Sequence, residues 1–351
     1  MFLDMKYYVD REPEILMDVF NNFDNNSKKL SECDLSFESI IIYATGSSAN
    51  AAYAAKAFMS KILKINIEIK EPSMALNYDL YTNPKTLYIA ISQGGHSSST
   101  LNLINKLQKN NIIYAITSDL DSPIGKESKL VLNLGMKEDM PFVTAGQSST
   151  TVFLWKIALN LSLRKKIITE SEFEYYNSEI QKMISEIPNF INKVNLWFNK
   201  EKERLYNGNR FLCIGYGSCY GTAREFETKF TETVRVPSAG FELEEFMHGP
   251  YIGINKNDIV FMLDNNGKLT ERTRKLASFL NDHINLVYLF TGKELDGFEG
   301  IDFEIDINED LSCILYNTIP HLVSWYISQY KKIDLTKSSY PDFDVKMKSK
   351  I

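Results

Sequence analysis

The chain has 351 residues, 44% of them hydrophobic and 24% charged, enough apolar material for two ordinary cores and no signature of disorder. A net charge of −6 leaves no broad basic face, which argues against duplex nucleic acid and confines any anion site to a local patch. No apolar run reaches the length of a membrane span, and Met1-Phe2-Leu3-Asp4-Met5-Lys6 lacks the basic-then-apolar order of a signal peptide. Cys33, Cys213, Cys219 and Cys313 are scattered without a C-x-x-C pair, so neither a disulfide framework nor a zinc or other metal site is signalled. A cytoplasmic protein with ordinary thiols is expected.

In chain order, residues 1–30 read as a helical segment. Apolar, β-branched runs ending in turn residues follow at 40–43, 87–91, 112–116 and 130–134, the pattern of buried strands. Segments with helical spacing lie between and after them, at 49–63, 100–107 and 149–163. Such alternation predicts a parallel sheet covered on both faces, over a first domain at 31–165. Residues 166–205 are rich in Lys, Glu and Asn, with Ile180, Met183, Ile187 and Ile191 at helical intervals, which predicts a helical connector interrupted at Pro188. Strand-like runs then recur at 211–214, 259–263, 286–290 and 303–307, in a second domain at 206–330. Gly46 maps on to Gly217 and Ser92 on to Asp264 at almost the same offset, so the halves read as a duplication. From 331 to 351 the tail looks irregular and polar.

The stretch Ile91-Ser92-Gln93-Gly94-Gly95-His96-Ser97-Ser98-Ser99-Thr100 sets five hydroxyls and two glycines directly after a strand. A glycine-bearing turn followed by a helix starting within 97–100 points backbone N–H groups and the positive helix end at one spot. Gly94 and Gly95 remove the Cβ atoms that would hold an anion off the backbone. This pattern predicts a phosphate cradle; a serine-rich helix cap is the competing reading. The spacing is neither a Walker loop nor the dinucleotide fingerprint. The equivalent stretch of the second half, Asp264-Asn265-Asn266-Gly267, has an acid and amides in place of the hydroxyls. Phosphate binding is therefore expected of the first half alone.

The second half offers different chemistry. Glu225, Glu227 and Glu232 fall within about two helical turns, and His248 precedes Gly249-Pro250, a turn that fixes its backbone. A carboxylate and an imidazole are the pair that moves protons on carbon and oxygen. A solvated helix face and a turn-closing histidine compete with that reading. His96 lies inside the phosphate loop and could contact a ligand, whereas His283 and His321 read as packing residues.

Three motifs carry a family resemblance: Tyr43-Ala44-Thr45-Gly46-Ser47-Ser48, Ser92-Gln93-Gly94-Gly95-His96-Ser97, and Glu245-Phe246-Met247-His248-Gly249-Pro250. They resemble the sugar isomerase (SIS) domain proteins, and more closely the isomerase half of glucosamine-6-phosphate synthase and the related fructosamine-6-phosphate deglycases. The resemblance covers nearly the whole chain. It implies an α/β fold of two doubly wound, flavodoxin-like SIS domains, each a parallel sheet with helices on both faces. It also implies that Ser92, Gln93, Gly94, Ser97 and Thr100 bind a sugar phosphate, with Thr45, Gly46, Ser47 and Ser48 lining the site from the preceding loop. The family's general base, sixteen positions before the histidine of His-Gly-Pro, falls on Glu232, and its ring-opening histidine on His248. Its imine-forming lysine, five residues after a proline in the tail, falls on Lys346 of Pro341-Asp342-Phe343-Asp344-Val345-Lys346, with Lys348 and Lys350 nearby.

The reaction so implied is isomerisation of a ketose or amino-sugar 6-phosphate by ring opening and C1/C2 proton transfer. No metal or organic cofactor is implied, and a homodimer is, with the histidine supplied across the interface. A deglycase acting on a fructosamine 6-phosphate is the alternative, and a non-catalytic sugar-phosphate regulator a weaker one, because residues 1–30 are too short and acidic for a DNA-binding helix-turn-helix. Departures from the synthase are also informative. The chain begins Met1-Phe2 without the amide-transfer domain and its N-terminal cysteine, so no use of glutamine by itself is expected. Gly94 stands where the synthase has serine, and residues 143–149 lack the lysine that relatives place after the threonine.

Overall fold

The computed structural model describes residues 4–306 and 308–351; Met1, Phe2 and Leu3, and Ile307 at the end of the last expected strand, lie outside the described residues. The chain divides into two compact units, one of residues 14–178 with 337–351 (the first-sheet unit) and one of residues 1–13 with 179–336 (the second-sheet unit). Helices open the chain as expected: α1 (Met5–Asp10), α2 (Glu12–Asn21) and α3 (Phe23–Asn26).

In the first-sheet unit the four apolar runs become β1 (Ser39–Tyr43), β3 (Thr86–Ile91), β4 (Ile113–Thr117) and β5 (Leu130–Asn133), joined by β2 (Asn66–Lys70) at one edge. The sheet is parallel, in the order β2-β1-β3-β4-β5, with Ile40 opposite both Ile67 and Leu87. Alternation along each strand feeds two cores. Tyr43, Tyr88, Ala90 and Ala115 pack with residues of α5 (Pro72–Tyr78), α6 (Ser98–Leu107) and α7 (Pro123–Glu127). α4 (Gly46–Leu63) packs along α8 (Ala145–Arg164). Ala51, Ala52, Ala54 and Ala55 are fully buried on α4. Their small side chains let the helices approach until Thr151 and Ser162 of α8 donate their hydroxyls to the carbonyls of Ala51 (3.4 Å) and Ile62 (2.6 Å).

α9 (Glu170–Tyr206) passes from the first-sheet unit into the second. It is one helix of 37 residues with Pro188 inside it, so the expected interruption is absent. Proline in a helix interior costs about 3 kcal/mol, but Ile184, Ile187 and Phe190 around it are buried, each contributing about 1.5–3 kcal/mol. Burial outweighs the lost hydrogen bond.

The second-sheet unit holds β6 (Phe211–Gly215), β7 (Ser238–Glu242), β8 (Ile259–Asp264), β9 (Leu286–Thr291) and β10 (Glu299–Asp302), all parallel in the order β10-β9-β8-β6-β7. Read from its other edge, this is the strand order of the first sheet. Its helices are α10 (Cys219–Lys229), α11 (Leu243–Met247), α12 (Thr270–Asn281), α13 (Cys313–Tyr316) and α14 (Thr318–Tyr330). One face buries Leu212, Ile214, Val260 and Met262 with Leu276 and Leu280 of α12. The other is aromatic: Phe261 meets Trp197, Phe226 and Phe290.

The fourth strand of this sheet lies earlier than expected, at Glu299–Asp302 instead of 303–307. Phe303 supplied the apolar signal, yet it is buried by stacking on Phe190 at 3.7 Å, and Glu304 leaves the strand conformation at φ +53°. α15 (Phe343–Met347) lies in the tail expected to be irregular. His283, expected as a packing residue, is exposed, its Nδ1 2.7 Å from the Phe279 carbonyl oxygen. All four cysteines are free and buried, and no described helix is long and apolar enough to cross a membrane.

Candidate functional site

β1 and β3 are neighbours, and the loops leaving their C-terminal ends, with the first turns of α4 and α6 that follow, hold every expected phosphate-binding residue. An open parallel sheet takes ligands at that end, where its strand order reverses. After β1, Thr45 precedes α4 and Gly46 opens it at φ +57°; both are exposed, Ser48 is half-buried and Ser47 buried. Gly217 stands at φ +56° in the second-sheet unit.

After β3, Ser92 and Gln93 are buried and Gly94 is exposed. The N–H groups of Gln93 and Gly94 take no partner among the described residues, so they remain available to an anion. Gly95 has φ +71°, and a Cβ there would lie 1.9 Å from the Ser122 hydroxyl, so both conformation and space demand glycine. Ser97 caps α6, its Oγ accepting from the Thr100 N–H (3.4 Å) and from the buried Thr100 hydroxyl (2.9 Å). The helix-cap reading of the serines is thus true of Ser97, and it leaves the neighbouring N–H groups in place.

A cavity of about 280 Å³ borders this loop, lined by Gln93, Gly94 and His96 together with Asp119, Lys137 and Glu138. No sequence motif pointed to Glu138. Its carboxylate accepts from the Gln93 side-chain amide (3.0 Å) and from the N–H groups of Thr144 and Gly146 (each 3.0 Å), so it fixes Gln93 while capping α8. The Lys137 ammonium, 3.1 Å away, and then the Asp121 N–H hold the Asp119 carboxyl below the usual carboxylate range.

The tail reaches the same loop through its backbone. The Ser349 carbonyl accepts from the Ser98 N–H (3.2 Å), the Lys348 carbonyl accepts from the Ser98 hydroxyl (2.5 Å), and the Ile351 N–H donates to the His96 carbonyl (3.0 Å). His96 Nδ1 lies 2.5 Å from the Ile351 backbone oxygen, so this histidine meets the tail. Lys346 is exposed, its ammonium paired with Asp342 at 2.5 Å, and Lys350 pairs with Asp344 at 3.1 Å.

In the second-sheet unit α10 widens into one π-helical turn, Phe230–Val234, that carries Glu232 and ends at Arg235 with φ +62°. Single π turns are frequent at functional sites. Glu232 accepts from the buried Lys229 ammonium at 2.6 Å, and Glu225 Oε1 lies 3.6 Å from the same nitrogen. Lys229 went unassigned in the sequence reading, although its spacing from both acids puts all three on one helix face. Glu227 is structural: it accepts from the Gly240 N–H and ties β7 to α10. His248 is exposed at the end of α11, before Gly249 at φ +137°. Among the described residues no hydrogen bond or ion pair joins it to Glu232.

At the position matching the phosphate loop, the buried Asp264 carboxylate accepts from Tyr216 (3.0 Å), Thr270 (2.8 Å) and Thr291 (3.2 Å), with Arg274 at 3.6 Å. Among the described residues no cluster of His, Cys, Asp or Glu is arranged to hold a metal ion.

Comparison with known proteins bears on the same segments. The SIS domain family matches residues 36–159 and 204–298. The isomerizing glutamine–fructose-6-phosphate aminotransferase of Buchnera aphidicola is 25% identical over 94% of this chain and 57% of its own. The chain spans about half the length of the curated relatives it matches. A protein of Clostridium difficile 630, solved as a candidate phosphosugar isomerase, superposes with a TM-score of 0.89 at 24% identity, covering 99% of this chain and 98% of that one. The C-terminal domain of glucosamine-fructose-6-phosphate aminotransferase from Francisella tularensis follows at 0.85 and 19% identity, covering 95% and 97%. The family match extends over more than half of the chain and takes in a doubly wound parallel sheet in each unit, and on that ground the chain belongs to the SIS domain family.

Proposed function

We propose that the protein is a phosphosugar isomerase that acts on a ketose or amino-sugar 6-phosphate by ring opening and C1/C2 proton transfer. The observation that carries this reading is Glu232, a partly exposed carboxylate set in a π turn and held by a buried lysine. A group so fixed is oriented before substrate arrives, which a general base requires. The phosphate anchors on the N–H groups of Gln93 and Gly94 and the hydroxyls of Ser92 and Ser97, so that binding energy remote from C1 and C2 orients the reacting carbons. His248 moves the proton between ring oxygen and hydroxyl, and Glu232 carries a proton between C1 and C2 through an enediol or enolamine. Lys346, released from Asp342, forms the imine that acidifies the adjacent C–H. A homodimer and a cytoplasmic location belong to the same proposal.

A second reading, hydrolysis of a fructosamine 6-phosphate by water into hexose phosphate and amine, is favoured by the pairing of Lys346 with Asp342, since some of the deglycases that this chain resembles lack the tail lysine. Both readings are tested by incubation with fructose 6-phosphate, glucosamine 6-phosphate and fructosamine 6-phosphates in heavy water, followed by mass. The isomerase incorporates deuterium at C1 or C2, and Glu232→Gln slows this by about 10²–10⁴. Amine release without isomerised product selects the deglycase. Binding of phosphosugars without turnover of any of them overturns both.

A further inference from the structure

Beyond Glu232 the row of charges continues inward. Glu225 and Lys229 on α10 and His321 on α14 have side chains exposed by 1% or less, while Glu232 is 38% exposed. Lys229 Nζ stands 2.6 Å from Glu232 and 3.6 Å from Glu225 Oε1, and that same oxygen is 3.6 Å from His321 Nε2. Glu225 thus sits between the lysine and the histidine.

His321 faces this carboxylate from α14, its Nε2 turned towards Glu225 Oε1. Neither of its ring nitrogens has a hydrogen-bond partner among the described atoms, an unusual condition for a fully buried imidazole. Of the other elements packed on α14, α1 buries Met5, Tyr8 and Val9 and carries Lys6 and Asp10 paired with each other, the π turn carries Glu232 itself, and α13 buries Cys313 and Tyr316 with two aliphatic residues; Glu12, directly after α1, is a further buried carboxylate. Burial pushes the Cys313 thiol and the Tyr316 phenol up, so both stay neutral. Apolar packing alone would be met by leucine; an imidazole facing a buried carboxylate calls for another account.

We propose that His321 is a positioning residue for proton transfer at Glu232. Its Nε2–H closes on Glu225, Glu225 so held fixes the Lys229 ammonium, and Lys229 sets the Glu232 carboxylate. Hydrogen bonds that are long in a free enzyme shorten in this way when substrate binds. The role of Glu232 rests on the isomerase reading; the coupling along the row does not.

Two measurements test the proposal. The first compares His321→Leu, which removes the N–H, with His321→Gln, which keeps one, by deuterium exchange into substrate as a function of pH. The leucine variant should lose about tenfold in kcat, the scale of one charge-assisted hydrogen bond, with KM within about twofold and the acidic limb of kcat/KM displaced. The glutamine variant should regain most of the rate. The second measurement needs no activity. With only four histidines in the chain, ring nitrogen NMR resolves His321, and its signals should move in Glu232→Gln.

Wild-type rate and pH profile in a folded His321→Leu, or His321 signals indifferent to Glu232→Gln, overturn the proposal. Should the leucine variant fail to fold, the glutamine variant and the NMR comparison decide. No exchange by the wild type, with His321 still responding to Glu232→Gln, defeats the isomerase reading and leaves the row standing. Exchange that depends on Glu232 and not on His321 does the reverse.

Discussion

Gly146→Ala separates binding from stability. Gly146 lies in the first turn of α8, outside the left-handed region, so an alanine there carries no backbone strain. Its Cβ would stand 2.0 Å from Gln93 Nε2 and 2.2 Å from Oε1, and the amide at the end of that flexible side chain must swing away. Moving it breaks the 3.0 Å bond to Glu138. A hydrogen bond to a charged group contributes about 1.5–3 kcal/mol, and alanine returns about 0.5–1 kcal/mol of helix propensity. The net loss of stability should be about 1–2 kcal/mol. The displaced amide turns into the cavity beside Gly94, so a phosphosugar should bind at least about tenfold more weakly, equivalent to about 1.4 kcal/mol. Calorimetric titration with glucosamine 6-phosphate at fixed salt, beside urea unfolding, reads both quantities. Gly253→Ala is the control, because a Cβ there meets nothing within 4 Å. Unchanged affinity in a folded Gly146→Ala would refute the placing of the substrate phosphate beside Gln93 and Gly94.

Lys229→Met should cost about 3–5 kcal/mol, because it breaks the buried pair with Glu225; urea unfolding within about 1 kcal/mol of wild type would contradict the burial of that pair. Burial pushes the Cys219 thiol up to about 12 and those of Cys213 and Cys313 well above the ordinary value. Iodoacetamide at pH 8 should therefore modify none of these three in the native protein and all of them in denaturant, and a fast native reaction at any would count against the packing. The Asp119 carboxyl is lowered in the folded state, so its contribution to stability is present at neutral pH and is lost as pH falls below about 4 through the lowered value. In Lys137→Met the carboxyl should titrate closer to an ordinary aspartate by carbon NMR; an unmoved midpoint would assign the shift to the Asp121 N–H alone.

The inner strands were legible because a parallel strand buried on both faces reads as an unbroken apolar run, as in 87–91 and 259–263. The edge strands β2 and β7 lack that mark. Asn66–Lys70 fully buries only Ile67, and Ser238–Glu242 is half-buried throughout, so both passed as connections. The turn from β3 into α6 could be read because its signals are local: adjacent glycines and a capping serine. Glu138, His321 and the tail clip could not. Glu138 meets Gln93 across 45 residues and His321 is 96 residues beyond Glu225, partnerships made by the fold alone. Pro188 misled for a related reason, since its local cost is plain in the sequence and the burial that offsets it is not.

The tail's hold on the phosphate loop has a consequence for how this segment tolerates change. The contacts run through the carbonyls of Lys348 and Ser349 and the N–H of Ile351. Side chains at these positions can drift without loss, provided that none is a proline where the N–H is needed. The number of residues between Lys346 and those contacts cannot drift, because one insertion or deletion would slip every carbonyl off its donor. Among relatives, then, spacing in the tail should be kept where spelling is not, and an alignment scored on identity alone would mistake its most constrained stretch for its most expendable.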